Sequence, residues 1–147
     1  NLGSYAPNPN MWIDPWGWAP RSPDGSYRRE RGDHTGGETN HVPPRDTYKG
    51  APSAPSYGQA PAYHMDKPDH RGMTSTGSSA TSQQWRQQQR DYIKAGRWDK
   101  AIEMDIRESV AKFGDKYKAR MNRMVNQARN LGLINKRQNT RLSKLCR

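Results

Sequence analysis

Four histidines, His34, His41, His64 and His70, are the residues of this chain best suited to proton transfer. Two of them sit in settings that could do chemistry. His41 stands in Glu38-Thr39-Asn40-His41-Val42-Pro43, and His70 in Asp66-Lys67-Pro68-Asp69-His70-Arg71. A neutral imidazole can take a proton from water near pH 7. Asp and His side chains can ligate a divalent metal that holds a phosphate and offsets its charge. These are the two needs of phosphodiester hydrolysis at neutral pH. The sequence therefore offers His41 as general base, with His70 and Arg71 as further catalytic candidates and Arg71 steadying the phosphate or the leaving group. Asp69, His70 and Glu38 are the candidate metal ligands, Glu38 either as a ligand or as a partner to His41. The ion would be Mg2+, Mn2+ or Zn2+. Each candidate also has a plainer reading. A His beside Pro is commonly a loop residue, and Asp69–His70 can be a turn with a local hydrogen bond. Thr74–Ser79 reads as a helix cap, although its N–H groups could also grip a phosphate. His34 and His64 read as structural or solvent-exposed.

The elements that must position these groups lie mostly behind them. Residues 1–26 carry Pro7, Pro9, Pro15, Pro20 and Pro23, a spacing that no helix survives. Residues 27–63 stay rich in Gly, Pro, Ser and Tyr, with short strands expected around Asn40–Val42 and Ala62–Met65. From Ser78 the pattern changes. Ser78 and Ser79 can cap a helix over Ala80–Ala95 that stops at Gly96, with Trp85, Tyr92 and Ile93 as a narrow buried stripe. A second helix over Trp98–Phe113 carries Trp98, Ala101, Ile102, Ile106, Val110 and Phe113 on one face and stops at Gly114. Asp105 falls on that face; a structural, hydrogen-bonded role is favoured there over metal ligation. A third helix spans Asp115–Leu131, with Tyr117, Met121, Met124, Val125 and Ala128 as its stripe. Asn135–Arg147 reads as a short helix or a disordered tail. The expected fold class is α+β and mostly helical. It joins a loop-rich N-terminal half and a small ββα-like element to three to four short C-terminal helices that pack on something from residues 27–78.

Charge sharpens this division. Residues 1–81 hold eight basic and eight acidic groups, whereas residues 82–147 hold 17 basic against six acidic and so carry the whole formal charge of +11. Such a surplus fits a polyanionic partner, with nucleic acid foremost. Arg86, Arg90, Lys94 and Arg97 are the candidate phosphate-holding residues. No run approaches the roughly 18 apolar residues of a membrane span, and no secretory signal pattern is evident. With Cys146 alone, neither an internal disulfide nor a Cys-based zinc site is possible within the chain.

Two strings resemble known families. Tyr5-Ala6-Pro7-Asn8-Pro9 with Asp14-Pro15-Trp16-Gly17 resembles the end of the core in Rhs-family polymorphic toxins, where a DPxG motif closes a β-cage ahead of a toxic C-terminal domain. Trp16 and Trp18 stand where Leu is common. The resemblance implies an aspartyl autoprotease that includes Asp14 and cuts near Trp18. It divides the chain into a core end at 1–18, a linker at 19–37 and a toxin domain at 38–147. The order His41-Val42-Pro43, Asp69-His70-Arg71, Gly77-Ser78-Ser79 and Met104-Asp105-Ile106 resembles toxin domains of the same kind. The His-then-Asp/His-then-helix layout is similar to the ββα-metal layout of HNH and endonuclease VII-like nucleases, with Asn40 where those have their first His. These resemblances imply a secreted antibacterial effector. It would be delivered by a contact-dependent route such as type VI secretion, act in the target-cell cytoplasm and cleave DNA in preference to RNA with a divalent metal. Its partners would be the parent Rhs cage before release and an acidic cognate immunity protein, with no membrane insertion. The alternatives are a non-catalytic basic module for nucleic acid or membrane surfaces and an ADP-ribosyltransferase using Arg28 or Arg31, Ser75-Thr76 and a late Glu. The transferase needs an extended β-rich body for which the helical run leaves too little chain.

Overall fold

The computed structural model describes residues 24–147. The cleavage-like segment with Asp14 and Trp18 lies outside them. In chain order the described elements are α1 (Tyr27–Asp33), β1 (Glu38–His41), a 3-10 turn (Arg45–Thr47), β2 (Ala62–Met65), α2 (Lys67–Arg71), α3 (Ala80–Lys94), α4 (Trp98–Phe113), α5 (Lys118–Asn130) and α6 (Lys136–Leu145). The fold is α+β and mostly helical, with a small antiparallel sheet.

The strands pair with Glu38 opposite Met65 and His41 opposite Ala62. All of β2 is buried, because helices cover both of its faces. Side chains alternate across a strand. Tyr63 and Met65 enter the main apolar core beside α4 and α5, where the Tyr63 and Tyr117 rings lie 5.7 Å apart. His64 takes the opposite parity. Its backbone N–H donates to the Glu30 carboxylate on α1 at 3.2 Å, and its ring stacks on His34.

The C-terminal helices follow their sequence signals closely. Ser79 caps α3 by accepting from the Ser82 N–H, and Gly96 and Gly114 follow α3 and α4 in left-handed backbone conformations. Helix α4 buries Trp98, Ala101, Ile102, Asp105, Ile106 and Ser109 along one side. Helix α5 begins at Lys118, not Asp115, and buries Met121, Met124, Val125 and Ala128. The final segment is a helix, held at its start by a reciprocal Asn135–Gln138 capping box.

Two features differ from expectation. The buried side of α3 carries Ser82, Gln89 and Ile93, while Trp85 and Tyr92 are only partly covered. Gln89 is fully buried because its amide N–H groups donate to the Ala101 carbonyl at 3.1 Å and to Asp105 at 2.9 Å. Within the stretch read as linker, residues 27–33 form a helix capped by Ser26 and packed on both strands, with Glu30 1% exposed. The packed unit therefore reaches back to Gly25, whose carbonyl accepts from Ala62 N–H at 2.8 Å. A Cβ on Gly25 would sit 2.3 Å from the Met124 backbone nitrogen. Gly25→Ala is expected to cost ~2–3 kcal/mol of stability through this backbone clash, read as a drop in the urea midpoint at unchanged m-value.

Candidate functional site

The loop between α1 and β1 contains Gly36 and Gly37, both at positive φ (68° and 65°). Non-glycine residues adopt this conformation rarely. A Cβ on Gly37 would meet the Met65 carbonyl at 2.4 Å and the His64 ring at 2.7 Å. The two glycines thus let the loop close over His64. Its Nε2 lies 2.6 Å from the Gly36 carbonyl and its Nδ1 2.8 Å from the Thr39 hydroxyl. A carbonyl can only accept, so Nε2 carries a proton; in the neutral form of the ring Nδ1 then accepts from Thr39.

Beside this pair opens a cleft of about 430 Å³ lined by Tyr27, Arg31, His34, Glu38, Thr39, His64 and His70, among others. Glu38 at the start of β1 meets His70 on α2 with Oε1 2.9 Å from Nδ1. The same carboxylate accepts from Arg71 Nη2 at 3.4 Å. The His70 hydrogen bond, then Arg71, hold the Glu38 carboxyl below its ordinary range despite some desolvation, so it is ionised at neutral pH. An ionised carboxylate only accepts, which places the proton of a neutral His70 on Nδ1 and leaves the Nε2 lone pair free. No hydrogen bond to His70 Nε2 occurs among the described residues. The His70 and Glu38 side chains are 20% and 30% exposed, so water and substrate can reach them.

The other sequence candidates are placed elsewhere. His41 stacks flat on Tyr27 with ring centroids 4.2 Å apart, and its Nε2 donates to the Tyr57 carbonyl at 3.1 Å. Burial is the main cause that holds its pKa below the ordinary histidine value, so it is neutral at pH 7. It is not among the residues that line the cleft; His64 and His34, read from the sequence as bystanders, are. Asp69 turns away from His70 toward the start of α5. It accepts from Lys116 Nζ and from the Tyr117 hydroxyl, each at 2.7 Å, and the Lys116 bond leads in lowering its pKa. Asp105 is fully buried and accepts from Trp85 Nε1 at 3.1 Å and Gln89 Nε2 at 2.9 Å, a structural role between α3 and α4.

These commitments bear on metal binding. Both Glu38 oxygens already accept from cationic or polar donors, and Asp69 faces an ammonium. Among the described residues, no three His, Cys, Asp or Glu side chains gather as a metal-binding group. As arranged, the Glu38 and Asp69 carboxylates are each engaged by a cationic donor.

The phosphate-binding candidates on α3 and at the start of α4 are mostly engaged as well. Arg86 donates to the Ser75 and Gly77 carbonyls at 2.9 and 2.8 Å, Arg90 pairs with Asp46, and Arg97 pairs with Asp99 at 2.9 Å. Lys94 stands exposed.

No protein-family model, no curated protein and no solved structure shows significant similarity to this chain.

Proposed function

We propose that the chain is a phosphodiester hydrolase acting on nucleic acid, with His70 as its general base and Glu38 as the residue that orients it. One observation carries this reading. Residues 32 positions apart, on a strand and on the helix that follows the second strand, meet as a carboxylate–imidazole pair on the rim of a cleft that also holds Arg31, with the outer ring nitrogen free. A base held in one tautomer by a second group is the arrangement that proton abstraction requires.

In the proposed reaction a water oxygen attacks the phosphorus. A P–O bond to that oxygen forms, the ester P–O bond breaks, and the water proton passes to His70 Nε2. The Glu38 carboxylate offsets the imidazolium that results. Arg71, 62% exposed on its side chain, and the exposed Arg31 on the cleft wall face the added negative charge of the transition state and the leaving oxygen. Thr39 and His64 form a second proton-bearing pair in the same cleft.

The β1–β2–α2 order supports kinship with the ββα nuclease layout, with the base moved from the strand to the helix. On this reading the described unit is the toxic domain of an Rhs-type effector. Its companion would be an immunity protein whose acidic face matches the surplus of the C-terminal half. Purified chain incubated with plasmid DNA and total RNA, with and without Mg2+ and with EDTA, tests the proposal. Cleavage of either nucleic acid is expected, with DNA the preferred substrate. Survival of cleavage in EDTA matches the donor geometry described above, whereas abolition by EDTA would restore the metal mechanism at Glu38 and His70. Absence of cleavage under all conditions overturns the hydrolase reading.

A further inference from the structure

Helices α4 and α6 enclose an open groove of about 870 Å³, remote in sequence from the cleft and sharing no residue with it. Its walls carry Arg97, Lys136, Arg137, Arg141 and Lys144, with Asp99 as the one acidic residue. Asp99 offsets this charge only at Arg97 and Arg141. It is 1% exposed and accepts from Arg97 at 2.9 Å and Arg141 at 2.8 Å, and Arg141 also pairs with Glu103. Lys136, Arg137 and Lys144 are exposed and make no ion pair among the described residues.

The placement of Lys136 and Arg137 runs against helix stability, whereas Lys144 lies in the last turn, where a cation is favoured. The first turn of α6 contains Lys136 and Arg137 and no acidic residue. Cations are disfavoured there, because the positive end of the helix dipole lies at the N-terminus. The N–H groups of that turn are not themselves the site, since Asn135 and Gln138 cap them reciprocally. Residues that break a local stability rule without gain to the fold mark a functional demand. The demand here is for an extended anion. Lys136 and Lys144 lie eight residues apart on α6, about 12 Å along the axis, and each strand of a duplex presents a phosphate about every 3.4 Å of axis.

Among the described residues, no aromatic side chain lines the groove. Single-stranded nucleic acid is held largely by stacking its bases on aromatic rings. A duplex offers its phosphates and keeps its bases stacked within. We propose that this groove docks the phosphate backbone of a nucleic-acid duplex, held by Lys136, Arg137 and Lys144. The proposal rests on the nucleic-acid reading above but not on the chemistry assigned to the cleft.

The test is the salt dependence of binding to a fluorescent DNA duplex of roughly 20 bp, read by anisotropy in the His70→Ala background so that cleavage does not intervene. The combined Lys136→Gln, Arg137→Gln and Lys144→Gln variant is expected to bind more weakly. Its slope of log K against log salt should be shallower by about 2.7, or about 0.9 for each phosphate that the protein ceases to neutralise. The combined Lys49→Gln, Lys67→Gln and Arg129→Gln variant removes the same charge from exposed positions outside the groove and should keep the wild-type slope. Equal slopes for the two variants overturn the proposal. So does tighter binding of the single strand than of the duplex, or no duplex binding at all. Binding with the expected slopes in a chain that never cleaves nucleic acid keeps the groove and removes the hydrolase.

Discussion

His70→Ala is expected to lower kcat/KM for nucleic-acid cleavage by about 10²–10⁴-fold, the usual worth of a positioned general base. Glu38→Gln should fall short of the upper end of that range but still lose about 10²-fold, since the neutral amide neither fixes the tautomer as firmly nor offsets the imidazolium. Neither change should move the melting temperature much. The pair is 20% and 30% exposed on its two sides, and ion pairs open to water add little to stability. Asp69→Asn separates the acid–base reading from a metal centre. Asp69 bonds Lys116 and Tyr117 rather than His70, so its replacement should weaken the junction of α2 with α5 and leave most of the activity. Steady-state cleavage assays with circular dichroism melts on all three variants check this. Loss of cleavage in folded Asp69→Asn equal to that in His70→Ala would favour a shared metal instead.

The largest stability effect is expected at Asp105. Burial between α3 and α4 pushes its carboxyl from the ordinary 3.8 up to about 7, and the donors Gln89 and Trp85 reduce that rise without cancelling it. The sign follows from proton binding in the two states. Between about pH 4 and pH 7 the folded chain holds a proton on Asp105 that the unfolded chain has released. Stability attributable to this group is therefore full below pH 4, falls as pH rises through that window and is level above it. The span of about three units corresponds to about 4 kcal/mol. Asp105→Asn should remove this slope. It should also cost about 1–3 kcal/mol at low pH, because an amide cannot accept from both Trp85 and Gln89 in the present arrangement. Urea titrations of both proteins from pH 4 to pH 8 isolate the effect as a difference that cancels the histidines. A wild-type-minus-variant curve that is flat in pH would contradict it.

How far the fold is legible in the sequence differs from element to element. The bounds of α4 are readable because Trp98, Ala101, Ile102 and Ile106 repeat at helical spacing and Gly114 follows. The start of α3 is readable from Ser79 as a cap. Helix α1 is not, because Tyr27–Asp33 has no apolar stripe; it is held by a Ser26 cap and by Glu30, which bonds His64 N–H and Arg123 across the fold. The buried Gln89 is hidden for the same reason, since its partners lie 12 and 16 residues away. Within the site, Glu38, His70 and Arg71 stand out by residue type, and the structure brings them together. His64 does not stand out, although Gly36-Gly37 ahead of β1 is a usable signal of a close backbone approach.

Composition and periodicity by themselves determined the mostly helical class, the address of the +11 surplus and the residue types able to move a proton. These depend on local spacing and on counts, which a linear chain carries in full. The tertiary structure alone decided which carboxylate orients which histidine. It set Asp69 on Lys116, took Arg86, Arg90 and Arg97 into internal pairs and left Lys136, Arg137 and Lys144 open. A side chain's protonation and availability depend on the few ångströms around it, and those neighbours come from distant parts of the chain.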